Sequence, residues 1–359
     1  MEAKGLFNVT RKEFVDHLTS KKFILILALF LIISAYSMHV GMDYYNMRLE
    51  NYKEQVSQIK EEGPVIMWMP EKPSILLIFE RLHFVMSLLG AILAIAIGFD
   101  LITREKERGS LKSLLSHPVY RDEIINGKAV GGILALVLSV GIAFIILFAM
   151  LLLFSIVPDM DEFWRIVLFG AVTVLCLLTY FSIALMASTV SKDSGRALMY
   201  ALIIVLALSF AMPMLGGMVA ESVVGERPEP PVFQSSEDIE IYESGKVVKQ
   251  IGPMNKEEEE EWERYREERK AYNDKKWAIR DAFEIFSPDG NYMAVSISLT
   301  DPYVTEVHGG SWGSHYTPGD TTSIQKSLEK VWKNTFALFI LPVVFFALAY
   351  IKFMRMDIR

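Results

Sequence analysis

The 359-residue chain has a single cysteine, Cys176, so no internal disulfide can staple any part of it. It also lacks a phosphate-binding loop: neither Gly127-Lys128 nor Gly245-Lys246 is followed by Ser or Thr, and neither has a glycine at the required spacing before it. His308, His315 and Asp320 have no regular ligand spacing and fall among flexible loop residues, so no metal site is expected. Basic residues are dispersed rather than clustered, which gives no reason to expect nucleic acid. Charge itself is missing from several stretches of about twenty residues, and this scarcity is the most informative one. With 52% hydrophobic residues and a mean hydropathy of +0.30, the composition excludes a soluble globular enzyme, a collagen-like chain and a disordered protein.

Six uncharged runs are long enough to cross a hydrocarbon core: about 23–41, 82–102, 129–157, 164–187, 197–220 and 334–353. The first follows Lys21-Lys22 but has no small-residue cleavage site after it and is read as a retained span. Ionisable groups stay near the ends: His39 at the outer end of span one, His83 at the outer start of span two, Asp100 at its cytoplasmic end, and none in spans three and five. That emptiness argues against an ion-coupled transporter, and no polar filter or ring of charge suggests a channel. Ser139, Ser182 and Ser209 lie in spans without a His or Lys one turn away and read as helix-packing serines, not nucleophiles. Lys and Arg set the orientation. They crowd the leader (Lys4, Arg11, Lys12, Lys21, Lys22), the second-to-third connection (Arg104, Lys106, Arg108, Lys112, Arg121, Lys128), the fourth-to-fifth turn (Lys192, Arg196) and the tail (Lys352, Arg355, Arg359). Positive residues are held in the cytoplasm, so both termini are expected there, in a multi-pass cell-membrane protein.

The fold expected is an α-helical polytopic membrane protein with six transmembrane helices and a mixed α+β extracytoplasmic domain inserted between helices five and six. Residues 1–22 form a cytoplasmic amphipathic leader. Residues 23–220 hold spans one to five, with an extracytoplasmic segment at 42–81 and a cytoplasmic segment at 103–128. Residues 221–333 form the extracytoplasmic domain, and 334–359 the last span and tail. The 221–333 insertion carries 14 Lys plus Arg against 23 Asp plus Glu, a net of −9, so the whole-chain charge of −7 is mostly its property. Within it, DIEIYESGKVVKQI predicts a hairpin around Ser244-Gly245, and 255–280 predicts a charged helix with acids first and bases last, capped by Asn255. The 42–81 segment predicts a helical extension of span one followed by a turn at its prolines. Gly90, Ala94 and Gly98 make a small-residue stripe on span two that permits close helix approach, within the chain or to a second copy.

Residues 99–128, FDLITREKERGSLKSLLSHPVYRDEIINGK, are too patterned for a tether. Leu111, Leu114 and Leu115 recur at i, i+3 and i+4 opposite Lys112, Ser113 and Ser116, a short amphipathic helix ended by His117-Pro118. The positive-inside rule would account for the basic residues but requires neither the leucine spacing nor the Gly109 break. The run Thr103-Arg104-Glu105-Lys106-Glu107-Arg108-Gly109-Ser110-Leu111, then Leu114-Leu115-Ser116, Pro118-Val119, Arg121 and Gly127-Lys128, resembles the second-to-third-helix connection of ABC-2 type permeases, the membrane subunits of ATP-binding-cassette transporters. Phe286-Ser287-Pro288 faintly resembles that family's extracytoplasmic Ser-Pro element.

The resemblance implies a non-catalytic permease, commonly of an exporter, driven by two separate ATP-binding subunits that hold the ATP and magnesium and paired with a second permease. The connection would be a coupling helix seated in a groove of the ATP-binding subunit. Arg104, Glu105 and Glu107 would supply polar contacts and orientation, Gly109 the bend, Leu111, Leu114 and Leu115 the docking face, and Lys128 the cytoplasmic anchor of span three. The apolar span interiors point to a hydrophobic or amphiphilic cargo. Two other readings remain open at this point, a non-transporting membrane sensor or scaffold and a membrane enzyme.

Overall fold

The computed structural model describes residues 2–62, 72–79, 82–109, 120–231, 238–243, 246–251, 256–301, 304–306, 315–316 and 323–356. Helix dominates, and six of the helical segments are long and apolar enough to cross a membrane. A leader helix, Glu2–Thr19, precedes span one, Lys21–Glu62. Span two, Leu82–Gly98, breaks at residues 99–102 and resumes as one helical turn, Thr103–Glu107. Spans three and four are Arg121–Leu153 and Met160–Val190, the latter started by Asp159, whose carboxylate accepts the Glu162 backbone N–H. Span five runs from Ser194 to Val224 through a π-helical turn at Ala207–Ala211. Span six is Trp332–Met354.

Contacts divide the chain into two compact units, residues 1–212 with 284–359, and residues 213–283. In the first, spans two and four form the centre, each with 61% of its apolar window buried, against 22% for spans one and six. The predicted stripe on span two explains their closeness. A Cβ on Gly98 would stand 2.8 Å from the Ala184 Cβ and 2.9 Å from the Phe181 carbonyl oxygen, and one on Gly90 would stand 2.5 Å from a Leu177 methyl. Ala94 between them is fully buried. The stripe therefore serves packing of span two on span four of the same chain. At the far end of span one the helix continues to Glu62, as the sequence predicts, and the 3₁₀ turn Ile75–Phe79 packs back on Gly41.

A mixed α+β domain spanning 221–333 is not what the described residues form. The hairpin is present, Asp238–Glu243 antiparallel to Lys246–Ile251 with Glu243 opposite Lys246, and a second pair joins Val304–Glu306 to His315–Tyr316. Each is an isolated two-stranded ribbon, too small to organise a core. The charged helix runs from Lys256 to Glu284, with Trp262 stacked edge-on against Tyr265 at 5.6 Å; Asn255, its predicted cap, lies outside the described residues. In the 213–283 unit it meets the end of span five, Phe283 against Gly216 and Lys276 near Glu221.

The next helix, Pro288–Thr300, belongs instead with the spans. Its sequence PDGNYMAVSISLT is small, nearly uncharged and largely buried, so it can enter the helix bundle where the charged helix before it cannot. It packs on spans two, four and six. Both ends are pinned by buried polar groups. Arg165 of span four, 1% exposed, donates to the Leu299 carbonyl and to Ser327 Oγ while pairing with Asp161 at 2.6 Å. Asn334 of span six donates to Asn291 Oδ1.

Because the Gly98 contact is partly with backbone, Gly98→Val should cost about 1–3 kcal/mol through overpacking. The expected result is a lower thermal-unfolding midpoint in detergent. Gly141→Val, at a site with nothing within 4 Å, should leave the midpoint unchanged.

Candidate functional site

The leader helix, residues 102–107 after the break in span two, the turn between spans four and five, and the ends of spans three and six that Arg121 joins lie at one end of the bundle. The leader helix lies along the first turns of span three because two glycines let the backbones close up. A Cβ on Gly127 would stand 2.8 Å from the Val9 Cβ, and one on Gly131 would stand 2.8 Å from the Glu13 Cβ and 3.1 Å from the Thr10 carbonyl oxygen. Lys128, between these glycines, is thereby turned into the leader. Its Nζ donates to Glu13 Oε1 at 2.6 Å and to Glu105 Oε1 at 3.2 Å, with the lysine side chain 1% exposed. An ammonium withdrawn from water costs several kcal/mol unless opposite charge meets it. Here two carboxylates from two different segments do so.

The same knot leaves groups short of partners. Glu13 Oε2 is buried without a hydrogen bond, and so is Nε2 of His17, one helical turn along. Desolvation pushes the His17 imidazole below the usual histidine range, against the pull of Glu13 and Asp100 and with the repulsion of Arg104 and Lys128. Asp100 itself accepts from Lys22 at 3.3 Å, whose Nζ also lies 5.2 Å from the centre of the Phe99 ring.

The break in span two is tied to spans four and five as well. Ser188 Oγ accepts the backbone N–H groups of Ile102 and Thr103, which the break leaves without carbonyl partners. Lys106 Nζ donates to the carbonyls of Ser188, Thr189 and Ser191, capping the C-terminus of span four with positive charge. Glu107 accepts from the Ser194 backbone N–H at 2.6 Å and its hydroxyl at 3.0 Å, placing negative charge at the N-terminus of span five. At the other boundary, Arg121 donates to the carbonyls of Met354 and Met356 at the end of span six.

The structure thus brings together Glu105, Glu107 and Lys128 of the residues singled out by sequence. Arg104 is half-buried and its charge reaches His17. Gly109 takes a left-handed backbone, φ +66°, with open space where a Cβ would stand, so its requirement is conformational. Leu111, Leu114 and Leu115 lie outside the described residues, as do His308 and Asp320. Lys128, expected to anchor span three, is the centre of a buried ion cluster. Sequence reasoning missed Glu13, His17 and Ser188, and it counted Lys106 only as one more positive charge. The readable signal for the leader's contact was Gly127 and Gly131, four apart around Lys128.

The model of the family described as ABC-2 family transporter protein matches residues 7–358. The chain belongs to this family. No curated protein matches the sequence closely enough to count as a relative. Membership makes this ABC-2 chain a membrane transporter component of the permease type, a family whose members are generally not catalytic themselves and associate with ATP-binding-cassette subunits. In the ABC-2 chain the ion cluster joins the leader helix, span three and the turn after span two.

Lys128→Met should leave the Glu13 carboxylate buried without the ammonium it pairs with and cost about 3–5 kcal/mol. Lys22→Met, at a side chain 66% exposed, should cost no more than about 1 kcal/mol. Comparing thermal unfolding of the two variants in one detergent checks the contrast. A histidine lowered by burial stabilises the fold while neutral, an effect complete above its ordinary value of ~6.5 and lost as pH falls through and below it. Thermal stability should accordingly drop between pH 7.5 and pH 5, and His17→Gln should flatten that part of the profile.

Proposed function

We propose that this chain is the permease half of an ATP-driven exporter of a hydrophobic or amphiphilic cargo, working with two ATP-binding subunits and a second permease of the same or a related kind. The termini, the ion cluster and the connection at 103–128 face the cytoplasm in this reading, which the distribution of Lys and Arg supports. ATP and magnesium are held by the partner subunits.

The observation that carries the reading is the fastening of the segment at 103–109, on the chain side of the leucine-bearing connection. It is bound to the leader and span three through Glu105, Lys128 and Glu13, to span four through Lys106 and Ser188, and to span five through Glu107. Displacement of the connection by a closing pair of ATP-bound subunits would reach four elements at once. A surface loop has no need of such fastening. Gly109 then separates this fixed turn from the docking face at Leu111, Leu114 and Leu115, allowing the connection to change angle without unfolding its base.

Purification from the native membrane should bring down an ATP-binding protein with the chain. Replacing Leu111 and Leu115 together by Asp should abolish that association and cargo-stimulated ATP turnover while leaving the thermal-unfolding midpoint within about 1 °C, as expected of surface substitutions. Survival of both association and turnover in the double variant would remove the coupling assignment and leave a sensor or scaffold as the better reading.

A further inference from the structure

The helix Pro288–Thr300 carries a carboxylate to a depth where the spans supply almost no charge. Its entry is a tight turn. Ser287 Oγ accepts the Gly290 N–H, the Asn291 amide donates to the carbonyls of Ile285 and Ser287, and a Cβ on Gly290 would stand 2.8 Å from the Glu284 side chain. This geometry sets Asp289 beside Ser87, whose hydroxyl donates to it. Ser87 lies more than a turn inside the start of span two, and Cys176, whose thiol faces the Pro288 carbonyl, is midway along span four. Asp289 therefore sits at the level of the hydrophobic core.

An ionisable group at that depth is expensive and calls for a partner. Among the described residues no lysine or arginine pairs with Asp289, and its recorded bond is to a neutral hydroxyl. His83 stands one helical turn before Ser87 on span two. Nδ1 of His83 is buried with no hydrogen-bond partner. Asp289 and His83 are themselves only partly buried, so the site is not sealed. The inserted helix also touches the π-helical turn of span five, whose Ser209 hydroxyl is buried without a hydrogen-bond partner, and such local irregularities accompany functional sites.

We propose that Asp289, His83 and Ser87 form a subsite for an organic cation, the ammonium head of an amphiphilic cargo. The assignment rests on the permease reading above and names the chemistry of its cargo. One carboxylate supplies the opposite charge, and with its proton on Nε2 the imidazole of His83 offers Nδ1 as an acceptor. An anion would be repelled by Asp289. A hard metal ion would want six or more oxygen ligands, and no three metal-binding side chains converge among the described residues.

Tetraphenylphosphonium and its isosteric anion tetraphenylborate provide the probes, with binding to the purified full-length chain measured by equilibrium dialysis against a detergent blank and without ATP or a partner subunit. Saturable binding of the cation is expected, with no saturable binding of the borate when dialysed by itself and no displacement of the cation by sodium chloride at constant ionic strength. Asp289→Asn should weaken it by about tenfold or more, whereas Asp289→Glu should stay within about threefold of the unsubstituted chain. Should Asp289→Asn fail to fold, His83→Leu replaces it and should weaken cation binding at least about threefold. Absence of saturable cation binding, equally tight saturable binding of the borate in its own dialysis, displacement by sodium, or unchanged affinity in a folded Asp289→Asn or His83→Leu chain would each overturn the proposal. Since neither ATP nor a partner takes part, failure here leaves the association test of the permease reading standing, and failure of that test leaves this measurement standing.

Discussion

A lysine ammonium buried against two carboxylates is the constraint on which one end of the molecule depends. Lys128 has almost no exposure to water, and Glu13 and Glu105 come from segments that neither helix propensity nor hydropathy would bring to it. Each charge is tolerable only while the others are in place, because the penalty for stranding one is larger than the gain from making the pair. The cluster consequently acts as a condition on geometry more than as a source of stability. The leader helix must lie on span three, and the turn after span two must lie on both. The glycines at 127 and 131 are what make the required approach possible.

Around that knot the chain repeats one device, a charged side chain spent on the end of a helix. Lys106 closes the carboxyl end of span four, Glu107 the amino end of span five, and Arg121 reaches the last carbonyls of span six. Helix ends carry unpaired backbone groups and partial charge, so a side chain of the right sign satisfies both at once. The result is a base plate in which the ends of several spans are tied to the turn that leads into the connection at 110–119. Toward the opposite end Arg165 repeats the device on the inserted helix, capping its C-terminal carbonyl from inside the bundle.

Much of this was legible before any coordinates. The six spans, the extension of span one, the hairpin about residues 244–245 and the charged helix after it follow from local hydropathy, turn chemistry and charge order. The stripe Gly90, Ala94, Gly98 was legible as a contact surface, though not which helix it would meet. Two things were not legible. Residues 288–300 read as part of an exterior domain because they follow a strongly charged helix and carry no span-length apolar run; only their burial among spans two, four and six shows that they belong with the bundle. For the same reason the spans looked empty of acid, since Asp289 arrives from a segment that is not itself a span.

The sequence alone determined how many times the chain can cross a membrane, which end of each span is basic, and the family its connection resembles, because these depend on residues near one another along the chain. Tertiary structure decided that Lys128 is buried, that Glu13 is its partner, and that Asp289 stands among the spans. Those pairings join positions 115, 23 and 202 residues apart, and the energy of a charge is set by what surrounds it in space.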